Sequence, residues 1–131
     1  MIDHMTIKVA DFDRAKAFYD AVFAPLGAGL ILTAPPQSGM KAAGYGQGKP
    51  TFWVREGVPP PADYQQHIAF TAPSREAVDA FYRAGIKAGG KDNGAPGLRP
   101  HYHPDYYAAF LLDLDGNNIE AVCHAPEASQ P

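Results

Sequence analysis

The stretch DHMTIKVADFDRAKAFYDAVFAPLG at positions 3–27 returns without a gap as QHIAFTAPSREAVDAFYRAGIKAGG at positions 66–90. His4 falls on His67, Ala17-Phe18-Tyr19 on Ala80-Phe81-Tyr82, Ala21 on Ala84 and Gly27 on Gly90. Between these anchors the chemistry also agrees, with Met5 opposite Ile68, Ile7 opposite Phe70 and Asp13 opposite Glu76. In a chain of 131 residues, self-similarity on this scale points to two copies of one supersecondary unit. Packed about a pseudo-twofold axis, the two histidines would face each other. Converging imidazoles are what a metal site needs.

Working outward, residues 2–9 alternate between apolar and polar and predict a strand, with His4, Thr6 and Lys8 on one face. Asp11 or Asp13 can cap a helix over residues 12–25, and Ser74 one over residues 74–88. Residues 30–33, and the pair 40–45 and 51–55, read as the remaining strands of the first copy. The prolines 59–61 suit a linker. In the second copy, residues 67–71, 107–114 and 119–123 read as strands, the last two around the turn Asp115-Gly116-Asn117-Asn118. The Gly- and Pro-rich residues 92–104 read as loop. The expected organisation is one domain over residues 1–124, made of a module 1–57, a linker 58–65 and a module 66–124, with a disordered tail 125–131.

The apolar fraction of 46% and charged fraction of 19% are those of a globular protein. No apolar run approaches the ~20 residues of a membrane span, and no signal peptide is evident. The single Cys123 fits a reducing compartment, so a cytoplasmic location is expected. A net charge of −3 without a basic stripe excludes nucleic acid as a partner and leaves a small molecule.

The order β-α-β-β-β twice, with Ile2-Asp3-His4, then Asp11-x-x-Arg14-Ala15-x-x-Phe18-Tyr19, and a closing Asp113-x-Asp115-Gly116-Asn117-x-Ile119-Glu120, resembles the vicinal-oxygen-chelate superfamily. That group holds glyoxalase I, extradiol dioxygenases, and the bleomycin- and fosfomycin-resistance proteins. The resemblance implies an α+β fold in which two βαβββ modules form an open, eight-stranded, barrel-like sheet with helices outside. It also implies one divalent metal (Zn, Fe, Mn or Ni) on His4, His67 and Glu120, and a homodimer in which halves can be exchanged between chains. Glyoxalase I carries a further glutamate on the last strand of its first half. Counting from the hairpin glycine, as Gly116 leads to Glu120, Gly48 leads to Phe52, which is no ligand. Glu56 would align only through an indel and otherwise reads as a surface residue.

The segment from Arg99 to Tyr107 holds two histidines, three tyrosines and an arginine between prolines. It either covers the sheet edge or enters the mouth of the barrel. In the second case His101, His103 and Tyr107 are candidate proton-transfer groups, and Arg99, Tyr102 and Tyr106 candidate substrate contacts. His101 and His103 also have a spacing compatible with a second metal. Trp53 is either core or an aromatic wall in place of the fourth ligand. Lys8 either snorkels to the rim or stabilises a developing enolate or phenolate. His124 reads as a surface residue.

Two functions follow. One is a metal-dependent lyase, isomerase or dioxygenase acting on a small substrate with two neighbouring oxygens. The other is a metal-free protein that binds a small molecule or drug, as bleomycin-resistance proteins do. Fosfomycin-type transfer implies further cations and a thiol site, which Lys8, Lys49, Arg55 and Arg99 do not evidently supply.

Overall fold

The computed structural model describes residues 1–64 and 66–127. Two four-stranded sheets carry the eight strands. The first sheet has β1 (Met5–Val9), β2 (Gly29–Thr33), β3 (Ala42–Gly46) and β4 (Pro50–Glu56), in the order β1-β4-β3-β2. The second has β5 (His67–Thr71), β6 (Lys91–Leu98), β7 (Tyr107–Leu112) and β8 (Asn118–Cys123), in the order β5-β8-β7-β6. Helices α1 (Phe12–Phe23) and α2 (Arg75–Lys87) follow β1 and β5. The two βαβββ modules are those read from the repeat. β1 starts at Met5 rather than at Ile2, which is exposed. No described helix is long and apolar enough to cross a membrane.

Residues 91–98, read as loop, form a strand instead. Its antiparallel pairing with β7 shifts register between Asp92 and Gly94 and again between Gly94 and Gly97. Bulges at glycines keep an irregular sequence in the ladder. Of the tail expected to be disordered, residues 128–131 lie outside the described residues.

The caps fall where the sequence places them. Asp11 accepts from Arg14 N and Ser74 from Ala77 N. Each sheet then buries one face beneath its helix, with Ile7, Val9 and Val54 on one side and Leu111, Ile119 and Ala121 on the other. These two helix-bearing faces meet in one core. α1 packs on α2, Phe23 and Phe52 stack edge-on against Phe70, and Gly85 lets Leu111 and Val22 approach so closely that a Cβ there would lie 2.1 Å from Leu111 Cδ1.

A polar latch fixes this arrangement. Asp113, 5% exposed in the β7–β8 turn, accepts from Tyr19 Oη of α1 at 2.5 Å and from Asn117 N and Nδ2 at 2.8 and 2.9 Å. Next to it, Asp115 Oδ1 accepts from Ala10 N at 3.0 Å. Burial, then the Asp113 carboxylate, push the Tyr19 hydroxyl pKa well above its usual value, so it stays a donor. With the helical faces joined, the two sheets do not close on each other within one chain. Both opposite faces stay open.

Candidate functional site

On the open face of the second sheet, β8 presents Glu120 beside β5. Ala69 is its register partner, so His67, two residues earlier, shares its face. Glu120 is 1% exposed, and His67 Nε2 lies 2.8 Å from its Oε1. Tyr106 Oη donates to Oε2, a short contact that burial and the carboxylate accompany with a tyrosine pKa raised to about 12. Phe110, opposite Glu120 on β7, walls the same face, with its ring 6.2 Å from that of His67. Arg99 lies over Phe110 and donates to the carbonyls of Gly97 and Ala95, both at 2.8 Å. Its guanidinium therefore braces the bulged β6 as well as facing the cleft.

The loop from Arg99 to Tyr106 closes on itself through Arg99 N to Tyr106 O at 2.7 Å. The Tyr102 ring packs 5.1 Å from Tyr106, and His101 packs 4.2 Å from Tyr102. His103 and His101 are exposed, and His103 Nδ1 accepts from Asp105 N at 3.1 Å. Tyr107 departs from expectation. Strand alternation turns it to the helical side, where it donates to Asp79 of α2 at 2.7 Å under the Arg75 guanidinium, away from Glu120. His124 was missed. Its ring stands 5.1 Å from Tyr106 and 5.9 Å from His103.

On the first sheet's open face, a cleft of about 740 Å³ is lined by His4, Thr6, Lys8, Trp53 and Arg55, with Met40 among its apolar rim. His4 Nδ1 lies 2.7 Å from Asp3, whose other oxygen accepts from Lys49 at 2.9 Å. His4 and then Lys49 hold the Asp3 carboxyl at a pKa of about 2. The register decides the fourth position. Thr6 pairs with Trp53 as Ala69 pairs with Glu120, so Trp53 occupies the place symmetric to Glu120. Counting to Phe52 fails because the β3–β4 pairing shifts between Tyr45 and Gly46. Phe52 is core. The Trp53 indole lies against Gly44, where a Cβ would come within 2.8 Å of it. Glu56, of opposite parity, accepts from Phe12 N at the start of α1 at 3.3 Å and is remote from this cleft.

One chain thus joins His67 to Glu120 and leaves His4 in the other cleft. Among the described residues, no three His, Cys, Asp or Glu side chains of a single chain converge as a metal would require. The His67–Glu120 pair is one imidazole in direct contact with one buried carboxylate. It suits a borderline divalent ion and supplies two of the three ligands of a 2-His-1-carboxylate set.

The profile of the Glyoxalase/Bleomycin resistance protein/Dioxygenase superfamily matches residues 1–121. Metallothiol transferase FosB of Shouchella clausii (strain KSM-K16) is 29% identical over 125 residues, spanning 91% of this chain and 77% of that protein. The crystal structure of a glyoxalase/bleomycin resistance protein from Albidiferax ferrireducens T118 is 31% identical, covers 92% of this chain and 96% of that one, and superposes with a TM-score of 0.73. Fosfomycin resistance protein FosX of Mesorhizobium loti, at 20% identity, covers 93% of this chain and 90% of its own with a TM-score of 0.70, a likeness of fold.

Proposed function

We propose, for a chain that belongs to the glyoxalase/bleomycin resistance protein/dioxygenase superfamily, a divalent-metal enzyme whose site is completed by a second copy. His67 and Glu120 of one copy and His4 of its partner hold the ion. The observation that carries this reading is the buried Glu120 carboxylate on an open sheet face with His67 beside it. A carboxylate so placed is costly unless its partners are built in. The division between copies rests on the joined helical faces, which turn the two clefts away from each other. The edge strand β2 supports it too, since Leu30, Ile31 and Leu32 all stand exposed and suit burial against another chain.

When bound, the ion supplies Lewis acidity to two neighbouring oxygens of a small substrate. The chain's residues do the rest. Tyr106 orients Glu120 by hydrogen bonding, as outer partners of metal ligands do. Trp53 walls the side from which a fourth ligand is missing. His101 and His103, on the closed loop beside Tyr106, are the groups available to move a proton near neutral pH. The relationship to a metallothiol transferase brings transfer chemistry alongside lyase, isomerase and dioxygenase reactions. Lys8, Lys49 and Arg55 line one cleft, without Arg99.

A metal-free binding protein is the second reading. It is favoured by the saturation of both Glu120 oxygens within one chain. Elemental analysis of protein purified without chelators separates the two. Stoichiometric metal, lost in both His67→Ala and Glu120→Ala, supports the enzyme, whereas metal-free protein that binds an aromatic ligand supports the binder.

A further inference from the structure

Lys8 and Arg55 are register partners on adjacent parallel strands, so their side chains leave the same face of the first sheet side by side. Both line the cleft that holds His4 and Trp53. Neither has a carboxylate within ion-pair distance among the described residues. Asp3 is taken up by His4 and Lys49, and Glu56 points to the helical face. Like charges directly across a strand pair destabilise a sheet, and among the described residues no carboxylate offsets this pair. The Lys8 stem lies against Gly57, where a Cβ would meet it at 3.4 Å, and this contact confines the side chain at the strand end.

Position along the strand gives the pair its meaning. His4, Thr6 and Lys8 follow one another at every second position, and the four residue steps from His4 to Lys8 span about 13 Å of extended chain. Trp53 and Thr6 stand midway. A groove that starts at His4, passes the Trp53 indole, and ends at two cations with no carboxylate partner among the described residues is shaped for a molecule with two unlike ends.

We infer that Lys8 and Arg55 form an oxyanion subsite that takes the far end of an elongated anionic substrate, a carboxylate or a phosphoryl-type group, whose middle rests on Trp53. The inference deepens the enzyme reading above and rests on it only for the other, chelating end. An Arg fork beside a Lys point charge accepts two or more oxygens of one group through charge-assisted hydrogen bonds.

Trp53 is the sole tryptophan and lies two residues from Arg55 on the same face, so its fluorescence reports on the subsite. The test titrates the full chain with inorganic phosphate and, separately, with acetate, each against sodium chloride at matched ionic strength, with and without EDTA. Saturable quenching beyond the chloride control is expected, weakened at least about tenfold by Lys8→Ala or Arg55→Ala, a loss of about 1.4 kcal/mol. Arg55→Lys retains part of it. A response to phosphate alone assigns a dianionic group, and a response to acetate as well assigns a carboxylate. Both variants should melt no lower than the parent, because each removes a repulsion. No response beyond chloride, an undiminished response in the double variant, or a clear drop in melting temperature would overturn the subsite. His67→Ala separates the two readings, since it should abolish metal binding and leave the phosphate titration unchanged.

Discussion

Mixing two inactive variants tests the division of the metal ligands between copies. His4→Ala dimers lack a ligand in both sites, and so do Glu120→Ala dimers. When the two proteins exchange subunits at equal concentration, about half of the dimers are mixed, because a twofold interface treats the two chains alike. In a mixed dimer one site receives both defects. The other pairs the intact His4 of the Glu120→Ala chain with the intact His67 and Glu120 of the His4→Ala chain. Metal content should therefore rise from near zero to about one quarter of the parent level, half of the dimers carrying one of two sites. The assay is elemental analysis after subunit exchange and desalting, with His67→Ala mixed with Glu120→Ala as the control. That control places both losses in the same half-site and should also recover about one quarter only if those ligands were split, so it should stay near zero. Recovery absent from the first mixture, with exchange verified by mass spectrometry, would refute a site shared between chains.

Other expectations follow from single contacts. Tyr19→Phe removes the hydroxyl donated to the buried Asp113 and should cost about 1.5–3 kcal/mol, measured by urea denaturation. In a domain of this size that is a fall of about 5–15 °C in Tm. Tyr106 and Tyr107 both hold their protons to a pH of about 12 in the folded chain, while unfolded tyrosines lose theirs near 10. The native state then binds more protons across that window, so stability should fall as pH rises through it, and Tyr107→Phe should flatten the alkaline limb. Glu56→Ala should leave metal content unchanged and cost about 0.3–1 kcal/mol through the α1 terminus. With a substrate in hand, His101→Asn or His103→Asn should lower turnover about 10²–10⁴-fold at constant metal content. Full turnover in the double variant would reduce the loop to a wall.

What could be read in the sequence was local or repeated. The offset between His4 and His67, the capping residues and the alternation around Glu120 give both modules and the face of each histidine, because these follow from periods of two and 3.6. The register of β4 was not legible. The shift at Tyr45–Gly46 moves the symmetric position from Phe52 to Trp53, and a one-residue slip exchanges core for cleft. β6 escaped notice because its glycines and proline carry loop signals while its pairing depends on β7, remote in sequence. Tyr107 falls on the other face for a related reason: β7 starts at Tyr107 as the sequence indicates, but which of its parities shares the face of Glu120 depends on its register against β8. The outward orientation of the two clefts was beyond reach, since it depends on contacts such as Tyr19 with Asp113, 94 residues apart.

The Asp113 latch has a thermodynamic consequence. On the shared site proposed above, holding the half-sites back to back would make ion uptake and self-association linked functions: whatever affinity the ion added to the subunit interface, the interface would return to the ion by the same factor. Apparent metal affinity then depends on protein concentration, so dilution alone drives the ion off, and scarcity of the ion favours separate chains. A protein that folded its two modules face to face would have no such dependence. In that proposal the Tyr19–Asp113 contact and the apolar core around it, far from the chemistry, would give the metal to a population of chains and not to any one of them.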